Sequence, residues 1–355
     1  MQDQTPHIFC RKDLEAFSVG LLVRHEMTPE DAEVTARVLI EADMRGVVSH
    51  GLTRLPHYLQ RLRDNTINPH ATPERLQLTP GLGLVDGHGG MGQVVMHAAA
   101  DFANDLAKNN GSGWVAVRNA NHCGALPAYA RQLTEAGKIA VVLTHTEAVV
   151  LPFGGRTPFL GTNPLCIAIP SRRKPGLCLD MATSIVAWNK VVQAQKKGES
   201  LPLGWAVDEA GNDTTDADAV RALHAFGGHK GSGLALMLDI LSGALSGASF
   251  SPGIAAMDDM SATRRLGGLV GAIDVAAFMP AQDFTDRVDD LLEQLGQITP
   301  ATQGQGPYYP GELEQHAYER CKQNGIEMPP HTWQALTVEA ERCGVTMPQV
   351  LVKQA

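Results

Sequence analysis

Asp86-Gly87-His88-Gly89-Gly90-Met91-Gly92 is the stretch on which the fold turns. Its glycines fit G-x-G-x-x-G, follow the strand-like run Leu82–Asp86 and precede a helical segment, 92–109. A Rossmann dinucleotide fingerprint would stand at such a place. That fingerprint also needs an acidic residue closing the next strand, to bind a ribose. The next strand, Gly113–Val117, ends instead at Arg118-Asn119, while Asp86 lies directly before the glycines. A tight turn with close backbone packing is the better reading.

Outward from this turn, apolar runs alternate with helical spacing. A helix is expected over 125–136, a strand at Ile139–Thr144, and strands at Leu165–Ile169 and Leu177–Leu179. A helix over 185–197, a turn-rich loop Trp205–Thr215, an apolar helix Lys230–Leu245, a strand Leu269–Phe278 and a helix 281–296 follow. This alternation predicts α/β architecture. Upstream, 11–75 reads as helical: 11–25, 28–45 and 52–64, the second opened by Thr28-Pro29, a cap followed by proline. Asn65–Pro73 is polar with two prolines and marks a boundary. Beyond a Gly- and Pro-rich stretch, 298–312, three short helices are expected at 312–323, 330–342 and 346–354. The expected organisation is a helical segment 1–75, an inserted α/β domain 76–283 that binds cofactor and substrate, and a helical segment 284–355 packing against the first.

The 355 residues suffice for two or three domains with a large core. A net charge of −9 argues against nucleic acid as the main partner. No apolar run approaches the roughly 20 residues that span a bilayer, so no membrane association is expected. The N-terminus lacks a basic segment leading into an apolar one, and no two of the six cysteines form CxxC. Reduced thiols and a cytoplasmic location are the expectation.

Ser49-His50-Gly51, with Arg54 four residues after His50, is the first chemical candidate. It falls in a junction between two helices. Imidazole exchanges a proton near neutrality, and a guanidinium grips a carboxylate with two parallel hydrogen bonds. A small 2-hydroxy or 2-oxo acid needs that pair. Asn121-His122-Cys123-Gly124 follows a strand end, so His122 is a second acid/base candidate, whereas Cys123 reads as packing. Asp180-Met181-Ala182-Thr183 precedes a helix, and Asp180 could accept from a ribose hydroxyl. Lys230, at a helix start, would suit a pyrophosphate. Neither a metal-ligand constellation nor the G-x-S-x-G of a hydrolase is present.

Taken in order, these segments resemble the type 2 malate/L-lactate dehydrogenases. The matching stretches are Ser49–Gly51 with Arg54, Asp86–Gln93, Asn121–Gly124 with Tyr129, Pro152–Gly155, Gly161–Pro164, Asp180–Thr183, Trp205–Asp216, Lys230-Gly231 and Tyr309–Glu312. The ureidoglycolate dehydrogenase subfamily is nearest, through Ile298–Ala301, Tyr308–Gly311 and Asn324–Glu327. Departures from it stand at His145-Thr146-Glu147 and at Asn119–Cys123. The resemblance implies a non-Rossmann NAD(P)-binding α/β domain between helical flanks, and a homodimer with active sites near the interface. It implies a cofactor site at Thr146, Asp180, Met181, Ala182, Lys230, Pro310, Gly311 and Glu312, with NAD preferred and NADP the alternative. His50 or His122 would carry the proton beside Ser49, and Arg54 would hold the carboxylate of a malate-, lactate- or ureidoglycolate-type substrate. Reduction of cyclic 2-imino acids is the alternative chemistry, and a non-catalytic cofactor-binding protein is the third reading.

Overall fold

The computed structural model describes residues 7–302 and 305–351. Strand β1 (His7–Phe9) leads into three helices, α1 (Arg11–Val23), α2 (Pro29–Met44) and α3 (Leu55–Arg63). α2 is capped by Thr28, whose Oγ1 accepts from the Asp31 amide at 3.2 Å, and Glu30 and Asp31 place negative charge at its start. Gly46 ends it in the left-handed region, φ +78°. The expected helix 52–64 forms only from Leu55, after two 3-10 turns at Val48–His50 and Leu52–Arg54.

Next come β2 (Glu74–Thr79), β3 (Leu82–Asp86), α4 (Gly92–Asn110), β4 (Ser112–Ala120), α5 (Pro127–Glu135), β5 (Lys138–Thr144), β6 (Leu165–Ile169) and β7 (Leu177–Met181). α6 (Trp188–Lys197) and a small sheet of β8 (Ala206–Val207), β9 (Asp213–Thr214) and β10 (Ala222–Leu223) form a side lobe around Val150, Val191 and Leu223. α7 (His229–Asp239) continues into a π turn, Ile240–Ala244, in place of the unbroken helix expected to Leu245. β11 (Leu266–Asp274) returns to the middle of the large sheet, whose order is β2-β3-β4-β11-β5-β6-β7. Within that sheet β3 and β4 run parallel, and every other neighbouring pair runs antiparallel.

Alternation along the strands splits the packing into two faces. Val115, Val117, Ala140 and Val142 meet α4 and α5, whereas Trp114, Ala116, Val141 and Leu143 meet Leu234 and Leu238 of α7. α4 lies very close to the sheet: a Cβ at Gly113 would come 2.3 Å from the Ala103 carbonyl oxygen. The alanines of α4 and the glycine of β4 thus set the layer spacing.

The chain closes with α8 (Ala281–Gly296), α9 (Glu312–Asn324), β12 (Ile326–Met328) and α10 (Pro330–Cys343). β12 pairs antiparallel with β1, and Ile326, Met328, Leu336 and Ala340 share one core with Phe9, Leu14 and Leu39. The helix expected at 346–354 does not form over its described part. Residues 345–351 hold no helix, Val350 bridges Phe9, and 352–354 lie outside the described residues. Among the described residues, no helix is long and apolar enough to cross a membrane.

Candidate active site

His50 closes the first 3-10 turn after α2 and is half-buried. The turn is drawn tight by Asp43, whose carboxylate accepts from the Leu52 amide at 2.8 Å. Gly51 is obligatory there, since a Cβ would stand 1.9 Å from that carboxylate. Ser49 Oγ lies 2.9 Å from His50 Nδ1, and Arg54 Nε donates to the Ser49 carbonyl at 2.8 Å. Among the described residues Arg54 uses only Nε in these bonds, so both terminal groups of its guanidinium remain for a ligand.

His122 arrives from the end of β4, and the glycine turn holds it in place. Asn121 Nδ2 donates to the carbonyls of Gly89 (2.8 Å) and Gly90 (3.0 Å). A Cβ at Gly92 would lie 2.2 Å from the Asn121 carbonyl oxygen and 2.4 Å from that of His122. Asp86 is engaged by Arg118 Nε (2.7 Å), Asn119 Nδ2 (3.0 Å) and the His88 amide (3.0 Å). The turn therefore seats the His122 loop through backbone contact.

The two histidines meet: their rings stack with centroids 5.7 Å apart and planes 25° apart. The Tyr58 hydroxyl lies 2.6 Å from His122 Nδ1, leaving Nε2 as the nitrogen open to a substrate. Tyr58 escaped the sequence reading. It stands four residues after Arg54 on the face of α3 that carries the guanidinium toward the site, a helical spacing that points to it.

Burial, then the Arg54 charge, lowers His50 to about 4. The same causes, joined by His50, Arg264 and His57, hold His122 well below its ordinary value. Both shifts favour the neutral imidazole. Two further cations nearby are already engaged. Arg61 donates to the carbonyls of Ala262 (3.1 Å), Met257 (3.0 Å) and Asp259 (2.8 Å), and Arg264 pairs with Glu147.

The residues implied for the cofactor divide. Asp180, Pro310 and Gly311 line one cleft of about 490 Å³ between β7, α2, the start of α5 and the loop before α9. Asp180 is exposed as a residue on the cleft wall, but burial of its carboxyl, with Arg131 acting the other way and Glu314 adding to it, pushes it up to about 7. Met181 and Ala182 follow on the same strand end. Thr146 does not line the cleft; its Oγ1 accepts from the Thr162 amide at 2.9 Å, and the Thr162 carbonyl in turn accepts from Thr183 Oγ1 at 2.8 Å, just beyond β7. Glu312 is occupied in capping, its carboxylate accepting from the Tyr309 amide at 3.2 Å. Lys230 is exposed at the start of α7 and does not line the cleft.

In the helical layer, His25, Glu339 and Cys343 bring ligand-type atoms within 4.8 Å of one another. Arg342 is 2.8 Å from His25 Nε2, and Arg63 and Arg342 hold the Glu339 carboxylate, each at 2.8 Å. The cations already occupy those acceptors.

The profile of the malate/L-lactate dehydrogenase family matches residues 9–337. Ureidoglycolate dehydrogenase (NAD(+)) of Escherichia coli is 34% identical over 333 residues, 93% of this chain and 95% of that protein. The Δ1-pyrroline-2-carboxylate/Δ1-piperideine-2-carboxylate reductase of Pseudomonas aeruginosa is 34% identical over 322 residues, 89% of this chain and 94% of that one. Sulfolactate dehydrogenase from Methanocaldococcus jannaschii superposes with a TM-score of 0.89 at 34% identity, covering 96% of this chain and 98% of that chain. With matches that run through the helical layer, the sheet and both histidine loops, the chain belongs to the malate/L-lactate dehydrogenase family and is a 2-hydroxyacid oxidoreductase.

Proposed function

We propose that the chain is an NAD-dependent dehydrogenase of a small 2-hydroxy acid, with His122 as proton carrier and Arg54 as carboxylate clamp. The observation that carries this reading is the cluster of Tyr58, His122, His50 and Arg54. The free ends of the Arg54 guanidinium suit a carboxylate. Seating that anion neutralises a charge that holds His122 down, so His122 becomes a better base when substrate is bound. In oxidation, His122 takes the hydroxyl proton, while its Nδ1 is faced by the Tyr58 hydroxyl (2.6 Å) and accepts from the Gly124 amide (3.3 Å). In reduction the proton returns to the oxo oxygen. Ser49 fixes the ring of His50, which forms the wall behind His122.

The nicotinamide supplies the hydride acceptor when bound. Asp180, Met181, Ala182, Pro310 and Gly311 would hold the cofactor, with Thr146, Lys230 and Glu312 at its margins. The cleft fits part of a dinucleotide, with a carboxylate for ribose hydroxyls and small apolar walls at Ala42, Ala125 and Ala128. A carboxylate there disfavours the extra phosphate of NADP, and the E. coli relative is named for NAD(+). Asp86 is consumed by Arg118 and Asn119 of β4, which supports a cofactor domain without a Rossmann fingerprint.

The same reading takes 76–283 as an α/β domain inserted between helical segments 1–75 and 284–355, supported by the core these ends share. A homodimer is supported by Leu236, Met237, Ile240, Leu241 and Leu245, an exposed apolar stripe on α7 and its π turn. Six free cysteines fit a cytoplasmic setting.

The Pseudomonas relative supports a second reading, reduction of a cyclic 2-imino acid at the same site. NADH oxidation should be followed against a panel of 2-oxo acids and cyclic 2-imino acids, with ureidoglycolate and malate in the reverse direction. Turnover of 2-oxo acids above imines is expected; the opposite ranking selects the second reading. Binding of NADH without any turnover would leave a non-catalytic cofactor protein. Replacing His122 by Ala should cost about 10²–10⁴-fold in kcat while NADH still binds. Full activity in that variant, with loss in His50→Ala, would move the proton to His50.

A further inference from the structure

Cys166 and Cys178 sit on neighbouring antiparallel strands, β6 and β7, where Ala168 faces Cys178 and Cys166 faces Asp180. Two residues apart in register, they share the sheet face under α5, and their sulfurs are 3.7 Å apart. Their access differs. Cys166 is fully buried, while Cys178 lines the 490 Å³ cleft. The Arg131 guanidinium lines the same cleft, and its Nη1 is buried without a hydrogen-bond partner. A guanidinium beside a thiol pair favours a thiolate, here against burial and the neighbouring Asp180, which act the other way. The hydrogen bond from Cys166 and the Arg131 charge both lower Cys178, whereas the same bond raises Cys166.

We propose that Cys178 and Cys166 form a peroxide-reactive thiol pair, Cys178 attacking and Cys166 resolving, which closes to a disulfide in the wall of the cleft. The Cys178 thiolate attacks one peroxide oxygen, the O–O bond breaks, and hydroxide leaves with a proton as water. Cys178 is then a sulfenic acid. The Cys166 sulfur attacks the Cys178 sulfur, the S–OH bond breaks, and the Cys166 proton leaves with the hydroxyl as a second water. Two thiols and one hydrogen peroxide give one disulfide and two waters. The sulfurs must close from 3.7 Å to about 2.05 Å. β7 is the outermost strand, paired on one side only, and can move inward. Its shift is felt at once by the loop before α9, because the Cys178 amide donates to the Pro310 carbonyl at 2.9 Å. A Cβ at Gly311 would come within 3.0–3.2 Å of Cys178 atoms, so this contact has no slack. Since β7 carries Asp180, closure reshapes the wall proposed above for the cofactor.

The test treats the full chain with hydrogen peroxide, blocks residual thiols, and maps peptides by mass spectrometry without reductant. A cross-link joining Cys166 to Cys178, about 2 Da lighter than the two free thiols, is expected, reversible by dithiothreitol. Cys166→Ala should stop at a Cys178 sulfenic acid, trapped by dimedone, and should keep its unoxidised activity. NADH affinity, read by fluorescence, should fall at least tenfold on oxidation of the wild type and recover on reduction. Peroxide modification confined to Cys10, Cys321 or Cys343, with Cys178 unmodified, overturns the proposal. Formation of the cross-link with unchanged NADH affinity keeps the thiol pair and removes Asp180 and the Pro310 loop from the cofactor site, so the two readings fail separately.

Discussion

Gly92→Ala adds one methyl group, and the geometry gives its consequence. The new Cβ would stand 2.2 Å from the Asn121 carbonyl oxygen and 2.4 Å from that of His122. Ordinary contact begins near 3.4 Å, so the peptides before and after His122 must withdraw by about 1 Å. The side chain between those two peptides is His122 itself. A displacement of about 1 Å at a reacting group costs on the order of 10²-fold in rate, and overpacking of this kind costs about 1–3 kcal/mol of stability. The variant should therefore fold, melt a few degrees lower and lose about 100-fold in kcat/KM for its 2-oxo acid, with NADH binding within a few-fold of wild type. Gly89→Ala is the control. It meets nothing within 4 Å, although its φ of +76° costs some strain, so stability should fall with little change in turnover. Steady-state NADH oxidation and thermal melts on both variants decide the matter. Wild-type kcat/KM in Gly92→Ala, or equal losses in the two variants, would refute the idea that the glycine turn exists to seat His122.

Tyr58→Phe removes the partner of His122 Nδ1; a loss of about 10-fold or more in kcat, with KM little changed, is expected, and an unaltered kcat would exclude the phenol from proton movement. Arg54→Gln should raise KM for the acid by about 10–100-fold, and it also removes a charge that lowers both histidines. In the oxidation direction the neutral imidazole is required and activity falls as pH drops through its pKa, so the acidic limb of kcat/KM should move to higher pH in this variant. Asp43 is held up to about 7 by burial, with the Leu52 amide acting the other way. A carboxyl raised in the folded state binds its proton there but not in the unfolded chain between about pH 4 and 7. Stability should therefore decline as pH rises through that window. Urea unfolding at pH 5 and pH 8 should show this decline in the wild type and a smaller one in Asp43→Asn, and equal slopes would clear Asp43.

The elements legible in the sequence are those with a buried face. α4, β4 and β5 carry long apolar periods and appear close to where periodicity puts them. β2 was not anticipated: Leu76 and Leu78 alternate with polar residues, but the run holds only these two apolar positions and is exposed along nearly all its length. β1 and β12 are three residues each and exist through each other, a pairing more than 300 residues apart in the chain. The π turn after α7 arises where the helix must fit under His145, whose Nδ1 bonds Asp239 at 2.9 Å and whose ring a Cβ at Gly243 would strike. At the site, Ser49, His50 and Arg54 are contiguous, so local spacing exposes them. The stacking of His50 on His122, the Tyr58 bond and the isolation of Arg131 depend on tertiary approach, for which one sequence carries no periodic signal.

The β1–β12 pairing has a consequence for how the chain is made. Phe9, Leu14 and Leu39 leave the ribosome well before the side chains that complete their cluster, Ile326, Met328, Leu336 and Ala340. Until then the first helices carry an open apolar surface, and the junction bearing His50 rests on an unfinished layer. Completion of this layer is therefore a late event of high contact order. Nascent chains stalled before residue 326 should present that surface to chaperones, and emergence of residues 326–340 should withdraw it.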